Sequence, residues 1–177
     1  MKYKRIIVLG GSGSGKSTLA NRIGIKTNYP VYHLDNLFLN SDWSQKEKSE
    51  WLNICKNEFL LKEVGVVDGN YSFVLEERIQ WADLIIYIDV PTYLHILNIL
   101  KRVVRVNLGF EKRHGTSNDR KEKLDFAFFK WILFWNSGHR KKMLDALESI
   151  QDKKVVITNI PRKLDLNELL DEGVLTS

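Results

Sequence analysis

Residues Gly10 to Thr18 read Gly-Gly-Ser-Gly-Ser-Gly-Lys-Ser-Thr and fit the spacing G-x-x-x-x-G-K-[ST], with Gly10, Gly15, Lys16 and Ser17 at the fixed positions. Gly10, Gly11, Gly13 and Gly15 allow positive φ and close approach, so successive backbone N–H groups can converge on one anion. The chemistry this suits is the holding of a nucleoside triphosphate: Lys16 brings a point charge to the β- and γ-phosphates, and the Ser17 hydroxyl is placed to ligate Mg²⁺. A flexible Gly/Ser linker shares the composition but has no need of Lys-Ser after its last glycine.

Two carboxylates stand where they could serve the same chemistry. Asp35 ends the run Val31-Tyr32-His33-Leu34, and Asp68 ends Val64-Gly65-Val66-Val67 before the turn Gly69-Asn70. Both runs read as short strands, and in open α/β sheets the ligand crevice lies at the carboxyl ends of the strands. Asp35 is therefore a candidate to orient or deprotonate an acceptor, and Asp68 a candidate carboxylate for Mg²⁺ or its water. His33, one residue inside its strand, reads as a supporting histidine. Cys55, the lone cysteine, falls in an amphipathic helical stretch and reads as a buried structural thiol.

The elements needed to position these groups are legible around them. Arg5 to Leu9 is a β-branched run suited to a buried parallel strand, and Lys16 to Ile23 continues as a helix whose positive end faces the glycine loop. Residues 36–43 read as irregular and aromatic. Ser44-Gln45-Lys46-Glu47 has the form of a capping box that starts a helix to about Lys62, with Trp51, Leu52, Cys55, Phe59 and Leu60 inward, so that residues 36–62 make a flap. Leu84 to Ile88 and Lys153 to Thr158 supply the fourth and fifth strands, and Arg78 lies in a short helical segment between the third and fourth. Thr92 to Arg105 reads as a helix with Leu94, Leu97, Leu100 or Lys101, and Val104 near helical spacing, carrying Arg102 and Arg105 at its C-terminal end. Residues 106–121 are polar, basic and broken by two glycines, as a lid would be. Leu124 to Trp135 is apolar almost all round, as a core-inserted helix or one shared with a second copy in a homodimer would be. A closing helix is expected over Asn167 to Asp171. Five strands with helical crossovers predict an α/β fold with a three-layer parallel sheet.

The 177 residues predict one domain, and their 44% apolar content is that of a globular protein. Uninterrupted apolar runs fall far short of the ~20 residues that span a bilayer, and the N-terminus leads straight into the first strand, so the expectation is a soluble, cytoplasmic protein with no membrane partner. The net charge is +5, yet residues 101–142 alone hold twelve Lys/Arg against four acids. Such a basic segment suits a polyanion, either nucleotide phosphates or a nucleic-acid backbone.

The glycine loop, His33-Leu34-Asp35, Asp68-Gly69-Asn70-Tyr71, Ala82 to Pro91 and the Asp125 to Trp135 stretch with Arg140 together resemble the FlaR-like "DNA topology modulation" family, related to adenylate kinase, over nearly the whole chain. The resemblance implies the fold of a small P-loop kinase with sheet order 2-3-1-4-5, an acceptor flap and an arginine-bearing lid. It implies further that Gly11, Ser12, Gly13, Ser14, Gly15, Lys16, Ser17 and Thr18 hold the ATP phosphates, that Asp35 and Asp68 lie in the acceptor and Mg²⁺ region, and that Asn159 to Arg162 pass near the adenine. The chain departs from adenylate kinase after Asp68-Gly69, where Asn70-Tyr71 replaces the Phe-Pro-Arg that contacts AMP.

The activity expected is transfer of the ATP γ-phosphoryl group to a small acceptor, a nucleotide or nucleoside among the options. Lys16, Mg²⁺ and lid arginines such as Arg102 and Arg105 would stabilise charge on the group in flight. The alternative is a nucleic-acid-associated ATP-binding regulator, although no helix-turn-helix, zinc-finger spacing or RNP-like motif occurs. A GTPase switch is disfavoured because the chain has neither Asp-x-x-Gly nor Asn-Lys-x-Asp.

Overall fold

The computed structural model describes residues 2–40, 44–107, 140–148, 150–159, 161 and 163–172, with backbone alone at 102, 103, 105–107, 171 and 172. Five parallel strands form one sheet: β1 Arg5–Gly10, β2 Val31–His33, β3 Gly65–Asp68, β4 Leu84–Ile88 and β5 Lys154–Thr158. Their order is β2-β3-β1-β4-β5, as expected. The apolar runs are continuous because both faces of the sheet are covered. Along β1 the pleat sends Ile6 and Val8 to one core and Ile7 and Leu9 to the other. The first core is closed by Leu19, Ala20 and Ile23 of helix α1, Lys16–Thr27, together with Leu169 and Leu170 of a terminal π-helical turn, Glu168–Glu172. The second is closed by Trp51 and Cys55 of α3, Lys48–Cys55, by Trp81 of α4, Leu75–Trp81, and by Met143 and Leu147 of the helical residues 140–148.

Parallel pairing brings the functional ends together. Val8 of β1 and His33 of β2 both register against Asp68 of β3, and Gly10 registers against Ile88 of β4. The glycine loop thus leaves the sheet at the end of its central strand, where Gly10 is level with the last residue of β4 and two residues past the level of Asp68 at the end of β3.

Three local features differ from the sequence expectation. β2 stops at His33, and Leu34–Phe38 turns into a short helix, α2, so Asp35 sits in a first helical turn instead of on a strand end. The capping box is not used. Leu39 bridges Gln45, the Lys46 N–H donates to the Phe38 carbonyl at 2.8 Å, and Asn40 Nδ2 donates to Ser44 Oγ at 2.9 Å. With the backbone of 45–46 engaged in that pairing, the helix starts at Lys48 and ends in a π-helical turn, Lys56–Leu60. Trp51, Cys55 and Phe59 are nonetheless its buried residues.

The third difference concerns helix α5, Thr92–Asn107. Leu97, Leu100 and Val104, which the helical spacing picks out, are exposed, while His95 and Ile99 are buried. The helix turns a partly polar face inward because the glycine loop beneath it presents carbonyl oxygens that need donors. No helix among the described residues is long and apolar enough to cross a membrane.

Candidate functional site

The glycine loop owes its shape to backbone conformations that side chains disfavour. Gly13 has φ 77° and Gly15 φ 92°, both left-handed, and the chain passes from β1 into α1 through them. α1 begins with no side-chain cap on Gly15 and no acid in its first turn. Its first N–H groups, which have no intrahelical partner, and the positive end of its dipole are therefore left to a ligand. Lys16 and Ser17 are half-buried there and Thr18 is exposed. Ser14 is buried, with its Oγ near Gly10 and without a hydrogen-bond partner among the described residues.

Two other elements grip this loop. From the β3 side, Asn70 accepts a hydrogen bond from the Gly10 N–H at 3.0 Å and donates through Nδ2 to the Gly10 carbonyl. From α5, His95 Nδ1 donates to the Ser12 carbonyl at 2.8 Å, and Asn98, one turn on, donates to the Gly13 carbonyl at 2.9 Å. His95 lies so close to Gly11 that a Cβ on that residue would meet Cε1 at 2.5 Å. Burial lowers the His95 pKa below its usual 6.5, which favours the neutral ring that this packing holds.

The carboxylates are each paired with a donor from another segment. Asp68, 3% exposed, accepts from His33 Nδ1 at 2.5 Å, which gives His33 the supporting role expected of it. Asp35 accepts from the Tyr71 hydroxyl at 2.9 Å. Around Tyr71 an aromatic group is built: Phe38 stacks on Trp51 at 4.6 Å between ring centroids, and Tyr71 meets both edge-on. The Ser17 hydroxyl and Asp68 offer only oxygen, the donor set a hard cation such as Mg²⁺ prefers. Cys55 is buried, and burial pushes its thiol up to about 11, as for an inert core residue.

On the other side of the loop, Arg22 of α1 donates to the carbonyls of Pro161 at 2.8 Å and Leu164 at 3.5 Å, and Pro161 Cγ lies 3.6 Å from where a Gly15 Cβ would stand. The loop after β5 is thereby held beside the glycine loop. Arg140 makes a two-pronged pair with Asp89 at the end of β4, at 2.7 and 2.6 Å. Arg162, the lid residues 108–121 and the stretch 124–135 lie outside the described residues. Arg102 and Arg105 occupy the last turns of α5, one and about two turns beyond Asn98.

The sequence did not single out His95 and Asn98, and it named Asn70, Tyr71 and Arg78 without giving any of them a partner. A histidine among the apolar residues of the first half of α5 was a usable signal for His95, because buried polar groups need partners. Nothing comparable marked Arg78, which is wholly buried and donates to the carbonyls of Val74, Gly69 and Tyr71 at 3.1, 2.7 and 2.9 Å.

No family model matches the chain. It is 29% identical over 175 residues to Threonine synthase-like 1 of Macaca fascicularis and 26% identical over 175 residues to that of Homo sapiens. Each match takes in 84% of this chain, which spans 23% of the length of those relatives. Among solved structures it is similar to a deoxyadenosine kinase from M. mycoides with bound dATP, at TM-score 0.51 and 15% identity over 96% of each chain. A gluconokinase from Sinorhizobium meliloti 1021 aligns at TM-score 0.45 and 17% identity, covering 81% of this chain and 97% of that one. The fold is the α/β fold of P-loop small-molecule kinases.

Proposed function

We propose that this chain is an ATP-dependent phosphotransferase that moves the γ-phosphoryl group to a small acceptor, a nucleotide or nucleoside in this reading. The observation that carries it is a single juxtaposition at one edge of the sheet. The uncapped, acid-free start of α1 with Lys16 stands at the end of the central strand, and Asp68 with its His33 donor ends the neighbouring one. The FlaR-like resemblance and the likeness in fold to a kinase support the same reading.

In this mechanism the amides of Gly11 to Thr18 and the Lys16 ammonium bind the phosphates and stabilise the charge that spreads over the transferred group. Ser17 and Asp68 would hold Mg²⁺, which when bound neutralises phosphate charge. Asp35, steadied by the Tyr71 hydroxyl, orients the acceptor hydroxyl and takes its proton as the new phosphorus–oxygen bond forms and the bond to the ADP oxygen breaks. Arg102 and Arg105, with the lid that follows α5 to residue 121, would close over the phosphates, and Arg162 would stand beside the base, next to Pro161. Transfer to an acceptor in preference to water requires such closure. A cytoplasmic setting, where ATP and nucleosides occur together, belongs to the same proposal.

The test is an ATP-consumption assay over a panel of nucleosides, nucleotides and other small hydroxyl compounds, run beside Lys16→Met. ATP consumption that depends on an acceptor and vanishes in the variant is expected. ATP affinity and turnover unchanged by Lys16→Met would remove the site assignment.

A further inference from the structure

The turn Gly69–Tyr71 touches both halves of the site with adjacent residues. Asn70 takes both backbone groups of Gly10, and Tyr71 donates to Asp35. Gly69, at φ 132°, packs so tightly on Leu34 that a Cβ there would come within 2.9 Å of the Leu34 Cβ, and Leu34 immediately precedes Asp35. The carbonyls on either side of Asn70, those of Gly69 and Tyr71, are both held by the Arg78 guanidinium. A guanidinium taken out of water needs its donors satisfied, so three fixed carbonyls make this turn stiff.

We propose that Asn70 and Arg78 are positioning residues: Arg78 fixes the turn, and the turn ties the phosphate loop to the Asp35 carboxylate, so that filling one side is felt at the other. Burial lowers the Arg78 pKa to about 10, which still leaves it charged at neutral pH and committed to those carbonyls. The coupling rests on the reading that the glycine loop binds ATP and that Asp35 faces the acceptor. A stiff turn between the two sites is the kind of element through which two ligands can bind interdependently, because a shift at Gly10 cannot be absorbed before it reaches Tyr71.

The test uses the full chain labelled with 3-fluorotyrosine, its six tyrosines resolved by ¹⁹F NMR and Tyr71 assigned through Tyr71→Phe. The non-hydrolysable ATP analogue AMP-PNP is titrated with Mg²⁺. In the wild type it should bind and move the Tyr71 resonance. In Asn70→Ala, which keeps Tyr71 and Asp35, its affinity should fall ~10-fold from the loss of two hydrogen bonds, and at saturation the Tyr71 resonance should stay where it was. Wild-type affinity in Asn70→Ala, or an undiminished Tyr71 shift in that variant, overturns the coupling while leaving the ATP site standing. Failure of the wild type to bind AMP-PNP overturns the ATP reading and the coupling with it. Arg78→Lys, which can reach fewer of the carbonyls, should show an intermediate loss of affinity and a smaller shift. An unaltered response there removes Arg78 from the relay.

Discussion

The two sides of this crevice are built on different principles. On the side proposed to hold phosphate the working groups would be backbone N–H groups, and neighbouring elements grip the loop's carbonyls from outside: Asn70 takes Gly10, His95 takes Ser12 and Asn98 takes Gly13. On the side proposed for the acceptor the working groups would be side chains, with Asp35 and Asp68 each given a donor, Tyr71 and His33, beside an aromatic cluster of Phe38, Trp51 and Tyr71. In the proposed function a triphosphate would be met by backbone geometry, and an acceptor by side chains. The contrast explains why the acceptor's identity is the harder part to read.

The largest effect should come from the phosphate side. Lys16→Met is expected to lower kcat by roughly 10²–10³-fold or more, since it removes the side-chain cation of the loop, with circular dichroism and thermal midpoint near wild type. A comparable loss of helix signal would mean that the residue holds the fold instead. Next, Asp35→Asn should leave ATP affinity nearly unchanged and reduce transfer to the acceptor by roughly 10²-fold, a separation that isothermal titration and steady-state kinetics would resolve. Equal rates in the two proteins would return Asp35 to a structural role as a partner of Tyr71.

Smaller effects test the outer grip. Gly11→Ala should place a Cβ 2.5 Å from His95 Cε1, push the ring off the loop and cost about 1–3 kcal/mol, read as a fall in thermal midpoint with a weakened ATP affinity. An unchanged midpoint would show that the His95 side of the grip yields freely. The smallest concerns pH. Because the folded-state pKa of His95 lies below 6.5, the unfolded chain takes up a proton there before the folded one does. The stability this ring contributes is present above pH 6.5 and declines as pH falls from there toward the folded-state pKa, below which it declines no further. His95→Gln should flatten that part of the curve in urea unfolding between about pH 7.5 and 5.5, and a decline identical to wild type would assign it to other groups.

Much of this was legible in the sequence. Local composition is enough to specify a β-branched run, a loop in which left-handed glycines permit the turn, and a helix start lacking an acid, because each depends on a few consecutive residues. The strand order expected from the family resemblance is the one found. Asp35 and Asp68 were located as residues that end β-rich runs, although Asp35 belongs to the first turn of α2. The misreadings have one cause. Ser44-x-x-Glu47 is a valid capping box in isolation, but pairing of Gln45 and Lys46 with the backbone of 38–39 took the chain out of reach of a helix until Lys48. Leu97 and Leu100 have helical spacing, but α5 turned His95 and Ile99 inward.

By itself, then, the sequence determined the phosphate loop, the strands that flank it and the residue types available at the sheet edge. Only the tertiary structure decided which polar side chain meets which backbone group or carboxylate across separations of 60 residues for Asn70 and Gly10, 83 for His95 and Ser12, and 36 for Tyr71 and Asp35. The physical reason is that backbone conformation is a local property, set by sterics and neighbouring residues. A buried donor's choice of acceptor is made only when folding withdraws both from water, and it then falls to whichever carbonyl or carboxylate the packed sheet has brought within reach.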